Sequence, residues 1–266
     1  MITRRNAMGA VAGMAAAGAL PGAASGAAKP DPQGLATLMK RGDEQIAMLL
    51  YPGMTALDFA GPYHFLALMP GAKVHLVTNQ PDLRPVPSDL GMAIQPTVTM
   101  ADCPEDLTLL FAPGGLQGTL AAARDPATIA FVRDRAQRAK YVTSVCTGSL
   151  ILGVAGALRG RRATSHFSVV PMLSRFGAIP ERRRVVKDGK VITGAGVSAG
   201  LDFGSALVAE IRGRPLAEFE VLLSEYEPEP PIRGGSPATA RPQIKAFIDQ
   251  ALEGFVREVG TLSIAA

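Results

Sequence analysis

Short, unbroken apolar runs alternate along this chain with stretches of helical spacing. Residues 46–51 are continuously apolar and end in Pro52-Gly53. Residues 107–112 take the same form and stop at Pro113-Gly114-Gly115, and residues 141–145 run straight into Cys146-Thr147-Gly148. Runs of this length bounded by turn residues read as strands buried on both faces. Residues 73–78 predict a further strand and 162–165 a short one, and residues 184–186 and 191–193 fit a hairpin about Asp188-Gly189. Helices are predicted in part of 56–69, broken at Gly61-Pro62, and in 126–139, with Asp125 as cap and Pro126 in the first turn. Others are predicted at 148–157, 168–176 and 198–212. Residues 79–106 are Pro-rich and irregular, with a short hairpin or edge strand near 92–98. After a Pro/Gly-rich segment (229–242), residues 243–259 form an amphipathic helical pattern. Alternating strands and helices imply an α/β domain, residues 45–230, whose mostly parallel sheet is covered on both faces, with residues 231–266 appended. Such sheets carry their sites at the carboxyl ends of the strands.

Composition narrows the picture. With 266 residues and 47% hydrophobic side chains, the chain can bury one sizeable core and is short for two domains. Its 29 Gly and 21 Pro are spread between apolar runs, which marks a turn-rich globular protein. The first thirty residues differ. Arg4-Arg5, an Ala/Gly-rich apolar stretch and a small-residue exit read as a twin-arginine export signal, which places the protein in the periplasm. The alternative is an uncleaved N-terminus on a cytoplasmic protein. The stretch is too rich in Gly and Ala for a membrane span, so no stable membrane anchor is expected. Three of the 27 Lys and Arg (Arg4, Arg5, Lys29) and none of the 23 Asp and Glu lie there, so the rest is close to neutral. That balance gives no nucleic-acid footprint. Arg159-Gly-Arg161-Arg162 and Arg182-Arg183-Arg184 sit at turns, where solvated surface charge is the ordinary reading. The two cysteines, Cys103 and Cys146, could pair in an oxidising compartment, although a chain of this length needs no staple.

Three strand ends then carry the chemistry. The strongest is Ser144-Val-Cys146-Thr-Gly148-Ser149, a strand-to-helix switch with one nucleophilic side chain at its bend, in the manner of a nucleophile elbow. At the N-terminus of the next helix the dipole would favour the thiolate; the plain alternative is a buried, inert cysteine. Backbone N–H groups at Gly114 and Gly115, with that of Thr147, could receive developing negative charge, or the glycines could simply make a turn. Asp58 is a lone carboxyl among apolar residues; alone it reads equally as a helix cap, but beside the thiol in a dry pocket its pKa would rise and it could shuttle a proton. Of the three histidines, His75 reads as structural, His166 could line the pocket, and His64 is given no role. Gly194-Ala-Gly196-Val-Ser-Ala-Gly200 lacks dinucleotide-site spacing and context, and close helix packing explains it better. The His and Cys residues are too scattered for a metal-ligand cluster.

Together these segments resemble the ThiJ/PfpI superfamily, which has the class I glutamine amidotransferase-like fold, and its isonitrile hydratase branch in particular. The segments are Tyr51-Pro-Gly-Met-Thr-Ala-Leu-Asp-Phe-Ala-Gly-Pro62, Tyr141-Val-Thr-Ser-Val-Cys-Thr-Gly-Ser-Leu150, Ala163-Thr-Ser-His166-Phe and Ile192-Thr-Gly-Ala-Gly-Val-Ser-Ala-Gly-Leu-Asp-Phe203. Cys-Thr in place of Cys-His is what narrows the branch. The resemblance implies a flavodoxin-like three-layer sandwich, a homodimer, a small-molecule substrate, and hydration of an isocyanide to an N-substituted formamide without metal or cofactor. Carried over, Cys146 attacks the isocyanide carbon to give a thioimidate, Asp58 protonates that carbon or activates water, and Thr147 holds Asp58 or the intermediate; Gly114, Gly115 and His166 bind substrate. The chain departs from the branch in its leader, in Phe167 where Trp is usual, and in an extension after Gly235. Other readings stay open: a glyoxalase-like or amidase/peptidase enzyme using the same thiol, or a non-catalytic periplasmic ligand-binding protein. Too few residues follow Gly235 for a DNA-binding module.

Overall fold

The computed structural model describes residues 32–265; the leader assigned to residues 1–30 lies outside them. A short helix, α1 (Pro32–Leu38), precedes β1 (Gln45–Leu50), α2 (Ala56–Leu68) and β2 (Lys73–Thr78). Three two-residue strands follow, β3 (Val86–Pro87), β4 (Ala93–Ile94) and β5 (Val98–Thr99), then β6 (Leu109–Ala112), α3 (Leu116–Arg124), α4 (Pro126–Arg138), β7 (Tyr141–Val145) and α5 (Gly148–Val154). After β8 (Arg162–Ala163) come a 3-10 helix (Val170–Phe176), β9 (Ile179–Pro180), the hairpin β10 (Val185–Asp188) and β11 (Val191–Gly194), α6 (Ala199–Arg212), α7 (Arg214–Leu223) and α8 (Pro242–Val259).

Seven strands form the central sheet in the order β10-β11-β7-β6-β1-β2-β5. Every pairing is parallel except β10 with β11. The inner strands β1, β6 and β7 are buried almost throughout, as the apolar runs of β1 and β6 require and with Thr143 and Ser144 of β7 buried as well. Helices α2, α6 and α7 pack together as one layer; α3, α4, α5 and α8 form the other. The three strand ends singled out in the sequence, those of β1, β6 and β7, are therefore neighbours in the sheet.

Two local expectations change. Helix α2 is not broken at Gly61-Pro62 but runs through Pro62. The reason is tertiary: a Cβ on Gly61 would stand 3.1 Å from the carbonyl carbon of Gly200, and one on Gly204 would stand 3.0 Å from Pro62 Cα. Small residues on both helices let α2 and α6 touch backbone to backbone, and the apolar burial of Pro62 outweighs its lost helix bond. The helix expected at 168–176 is a 3-10 turn ending at Gly177, whose φ is +71°. Asp125 does cap α4, accepting hydrogen bonds from the Ala127 and Thr128 amides.

Candidate active site

Cys146 occupies the bend between β7 and α5 with φ +57°, a left-handed conformation that costs a side-chain-bearing residue on the order of 1–3 kcal/mol. The surroundings hold it there. Its amide donates to the carbonyls of Gly194 and Ala195, each at 3.1 Å. Its own carbonyl accepts from the hydroxyls of Ser165 (2.9 Å) and Ser149 (3.2 Å). The strain is thus fixed from both sides by neighbouring elements, and the side chain lies over the sheet, only 5% exposed.

Asp58, in the first turn of α2, is completely buried and faces that thiol. One carboxylate oxygen, Oδ2, accepts the Gly114 amide at 3.0 Å. In return the Gly114 carbonyl accepts the Thr55 amide at 2.8 Å, so the loops after β1 and β6 clamp each other. Oδ1 has no hydrogen-bond partner. Burial pushes the Asp58 carboxyl up to about 7; the thiol and the Gly114 amide pull it down, and Asp89 adds a smaller push upward. Gly114 permits this juxtaposition. A Cβ there would stand 2.6 Å from Asp58 Oδ2, 2.7 Å from the Thr147 nitrogen and 2.8 Å from Cys146 Cβ.

Several sequence expectations need correction. The thiol is not held as thiolate by the helix dipole: burial, then the Asp58 charge, drive its pKa well up, and α5 is only seven residues long. Gly114 and Gly115 are not free oxyanion donors. Their amides are already committed, Gly114 to Asp58 and Gly115 to the Thr147 hydroxyl at 2.9 Å. Nor does the Thr147 hydroxyl hold Asp58. It belongs to a buried chain in which Thr147 meets Thr119 (2.8 Å), Thr119 meets the Tyr51 hydroxyl (3.1 Å), and Tyr51 donates to the Pro113 carbonyl (2.6 Å). That chain fixes the Pro113–Gly115 loop from beneath. The amides that face the sulfur and favour its ionised form are those of Val197 and Thr147. Val197 stands just past the end of β11 (Val191–Gly194), a fourth strand end beside those of β1, β6 and β7, within the Gly194–Gly200 run whose local pattern signals helix packing.

His166 lines a cavity beside the reactive pair but does not act on the thiol. Its Nδ1 pairs with the Ser168 hydroxyl at 2.8 Å, its ring packs 4.5 Å from that of Phe167, and burial lowers its pKa, so it is neutral near pH 7. His75 bonds Gln45 and His64 bonds Ser224, both away from the site. Both cysteines are free. Among the described residues no group of His, Cys, Asp or Glu is placed to hold a metal ion. The cavity measures about 680 Å³ and includes Leu57, Ser165, Gly196 and Val197 in its wall, a size ordinary for small-molecule sites.

A mostly parallel sheet with a strained cysteine at a strand-to-helix elbow defines a class, the flavodoxin-like α/β proteins with a thiol above the strand ends. A profile of the DJ-1/PfpI family matches residues 44–210, and the chain belongs to that family. It is 46% identical over 207 residues to the isonitrile hydratase of Pseudomonas putida, covering 78% of this chain and 88% of that one. A crystal structure of a ThiJ/PfpI family protein from Pseudomonas syringae superposes with a TM-score of 0.84 at 51% identity, covering 88% of this chain and 97% of that one. Drosophila melanogaster DJ-1beta shares the fold, with a TM-score of 0.63 at 21% identity over 69% of this chain and 98% of that one.

Proposed function

We propose that the protein hydrates an isocyanide to an N-substituted formamide, with Cys146 as nucleophile and Asp58 as its proton shuttle. The observation that carries this reading is a fully buried carboxyl, pushed up to about 7, set against the thiol, while the three histidines pair elsewhere, with Ser224, Gln45 and Ser168. The likeness to isonitrile hydratase supports it.

The terminal carbon of an isocyanide takes both a proton and a nucleophile. Protonated Asp58 gives its proton to that carbon while the sulfur bonds to it; the thiol proton passes to the Asp58 carboxylate. The product is a thioimidate, and the carboxyl is protonated again. One group near pKa 7 serves as acid and then as base, so a thiol that stays protonated at rest is no obstacle. Water then adds to the C=N carbon, delivering its proton through Asp58 to nitrogen. Collapse of the tetrahedral adduct breaks the C–S bond and returns a proton to sulfur, which leaves the formamide. The Thr147 and Val197 amides stabilise negative charge on sulfur as it attacks and departs. The isocyano group is thin and linear, suited to a thiol only 5% exposed.

The test is formamide production from cyclohexyl isocyanide by the parent protein and by Cys146→Ala and Asp58→Asn. Turnover by the parent and its loss in both variants is the expected result. A parent that hydrates no isocyanide, or a Cys146→Ala variant as active as the parent, would overturn the proposal.

A further inference from the structure

The cavity beside the reactive pair is reached from Cys146 and Asp58 through their neighbours Val197 and Leu57, and its wall is sharply divided in character. Leu57, Phe167, Val170 and Val197 supply apolar surface. Arg182, Arg183 and Arg184 stand on the same wall, and no acidic residue lines it. Arg184 is spoken for by an ion pair with Asp202. Arg182 and Arg183 are exposed and have no ion pair or side-chain hydrogen bond among the described residues, although most other arginines here find a partner. A second feature points the same way. Thr164 also lines the cavity, is 1% exposed, and its hydroxyl oxygen is buried with no hydrogen-bond partner. A buried hydroxyl left unpaired is unfavourable, and a polar ligand atom reaching it from the cavity would relieve that.

A plain hydrocarbon isocyanide uses none of these groups. We infer that the substrate is an isocyanide whose nitrogen substituent ends in a carboxylate, held by Arg182 and Arg183 on the solvent side of the cavity. This deepens the isocyanide-hydration reading and rests on it. The isocyano head points toward Cys146 past Val197, the connecting carbons lie on the apolar wall, and the carboxylate accepts charge-assisted hydrogen bonds from the guanidinium pair.

Isocyanoacetate and its methyl ester separate the charge from the rest of the molecule. In the parent, kcat/KM is expected to favour the carboxylate by about tenfold or more at low ionic strength, the range of hydrogen bonds to charged groups. The preference should shrink with added salt. In Arg182→Ala/Arg183→Ala the ratio should fall toward one, and Arg182→Lys/Arg183→Lys should restore part of it. Equal kcat/KM for acid and ester in the parent, or a preference that survives the double alanine variant, overturns the inference. Calorimetric binding of the unreactive N-formylglycine and its methyl ester needs no turnover. If neither of these nor cyclohexyl isocyanide is hydrated but N-formylglycine binds in an Arg-dependent way, the hydration reading falls and the anion site stands; if cyclohexyl isocyanide alone is hydrated, the hydration reading stands and the carboxylate inference falls. If neither turnover nor selective binding occurs, both fall.

Discussion

At the scale of single residues the site depends on contacts between atoms that leave no slack. Gly114→Ala would drive a methyl group into Asp58, Thr147 and Cys146 together, two of them through backbone or near-backbone atoms that cannot swing aside. Turnover is expected to fall by at least 100-fold, with destabilisation of about 1–3 kcal/mol; steady-state kinetics and urea unfolding check both. Asp58 gives a pH signature. With its carboxyl pushed up to about 7, the pH–rate profile of the parent should change slope near neutrality. Asp58→Asn should remove that inflection and lower the rate by about 10²–10⁴-fold, the usual contribution of a placed acid–base group. An unchanged inflection would assign it to another group.

At the scale of elements, the close contact of α2 with α6 places Asp58. Gly204→Ala brings a methyl group to 2.9 Å from Phe65 Cδ2 and 3.0 Å from Pro62 Cα, and should destabilise by about 1–3 kcal/mol. Gly254, mid-helix in exposed α8, meets only the end of the Arg257 side chain at 3.9 Å. Gly254→Ala should therefore stabilise, by about 0.5–1 kcal/mol. Equal denaturation midpoints for the two variants would contradict this account of the interface. The contrast also explains what the sequence made legible. Strands β1 and β6 announce themselves as apolar runs and β7 as a short β-branched run that includes Thr143 and Ser144, and the turn after each follows from Gly, Pro or the Cys146 switch. Continuity of α2 through Pro62 was not legible, since it depends on Gly200 and Gly204, far away in the chain. Likewise Thr147 could be placed at the bend, but its hydroxyl's partners come from α3 and the loop before it. Helix α3 itself went unpredicted because Gly118 and Thr119 weaken its local signal, while the space beside Gly53 requires a glycine there.

At the scale of the molecule, the buried acids set how stability follows pH. Both carboxylate oxygens of Glu220 on α7 are buried without partners, and burial raises its pKa from 4.5 to about 8 against the pull of Arg212. Between those values the folded protein keeps a proton that the unfolded chain releases. Stability from this group is therefore complete at low pH and drains away as pH rises toward 8, by at most about 1.4 kcal/mol per pH unit. Asp58 acts in the same direction up to about pH 7. Urea midpoints at pH 5.5 and 8.5 should fall with pH in the parent and fall less in Glu220→Gln; parallel slopes would contradict the assignment.

All of these effects converge on whether the Cys146 sulfur bonds to an isocyanide carbon. The direct measurement is the mass of the Cys146 peptide after rapid quenching of the protein during turnover of cyclohexyl isocyanide, with borohydride present to reduce the C=N bond. The account predicts an added mass of one isocyanide plus two hydrogens on Cys146, absent from Cys146→Ala. Formamide forming at the parent's rate in Cys146→Ala, with no adduct in either protein, would contradict it.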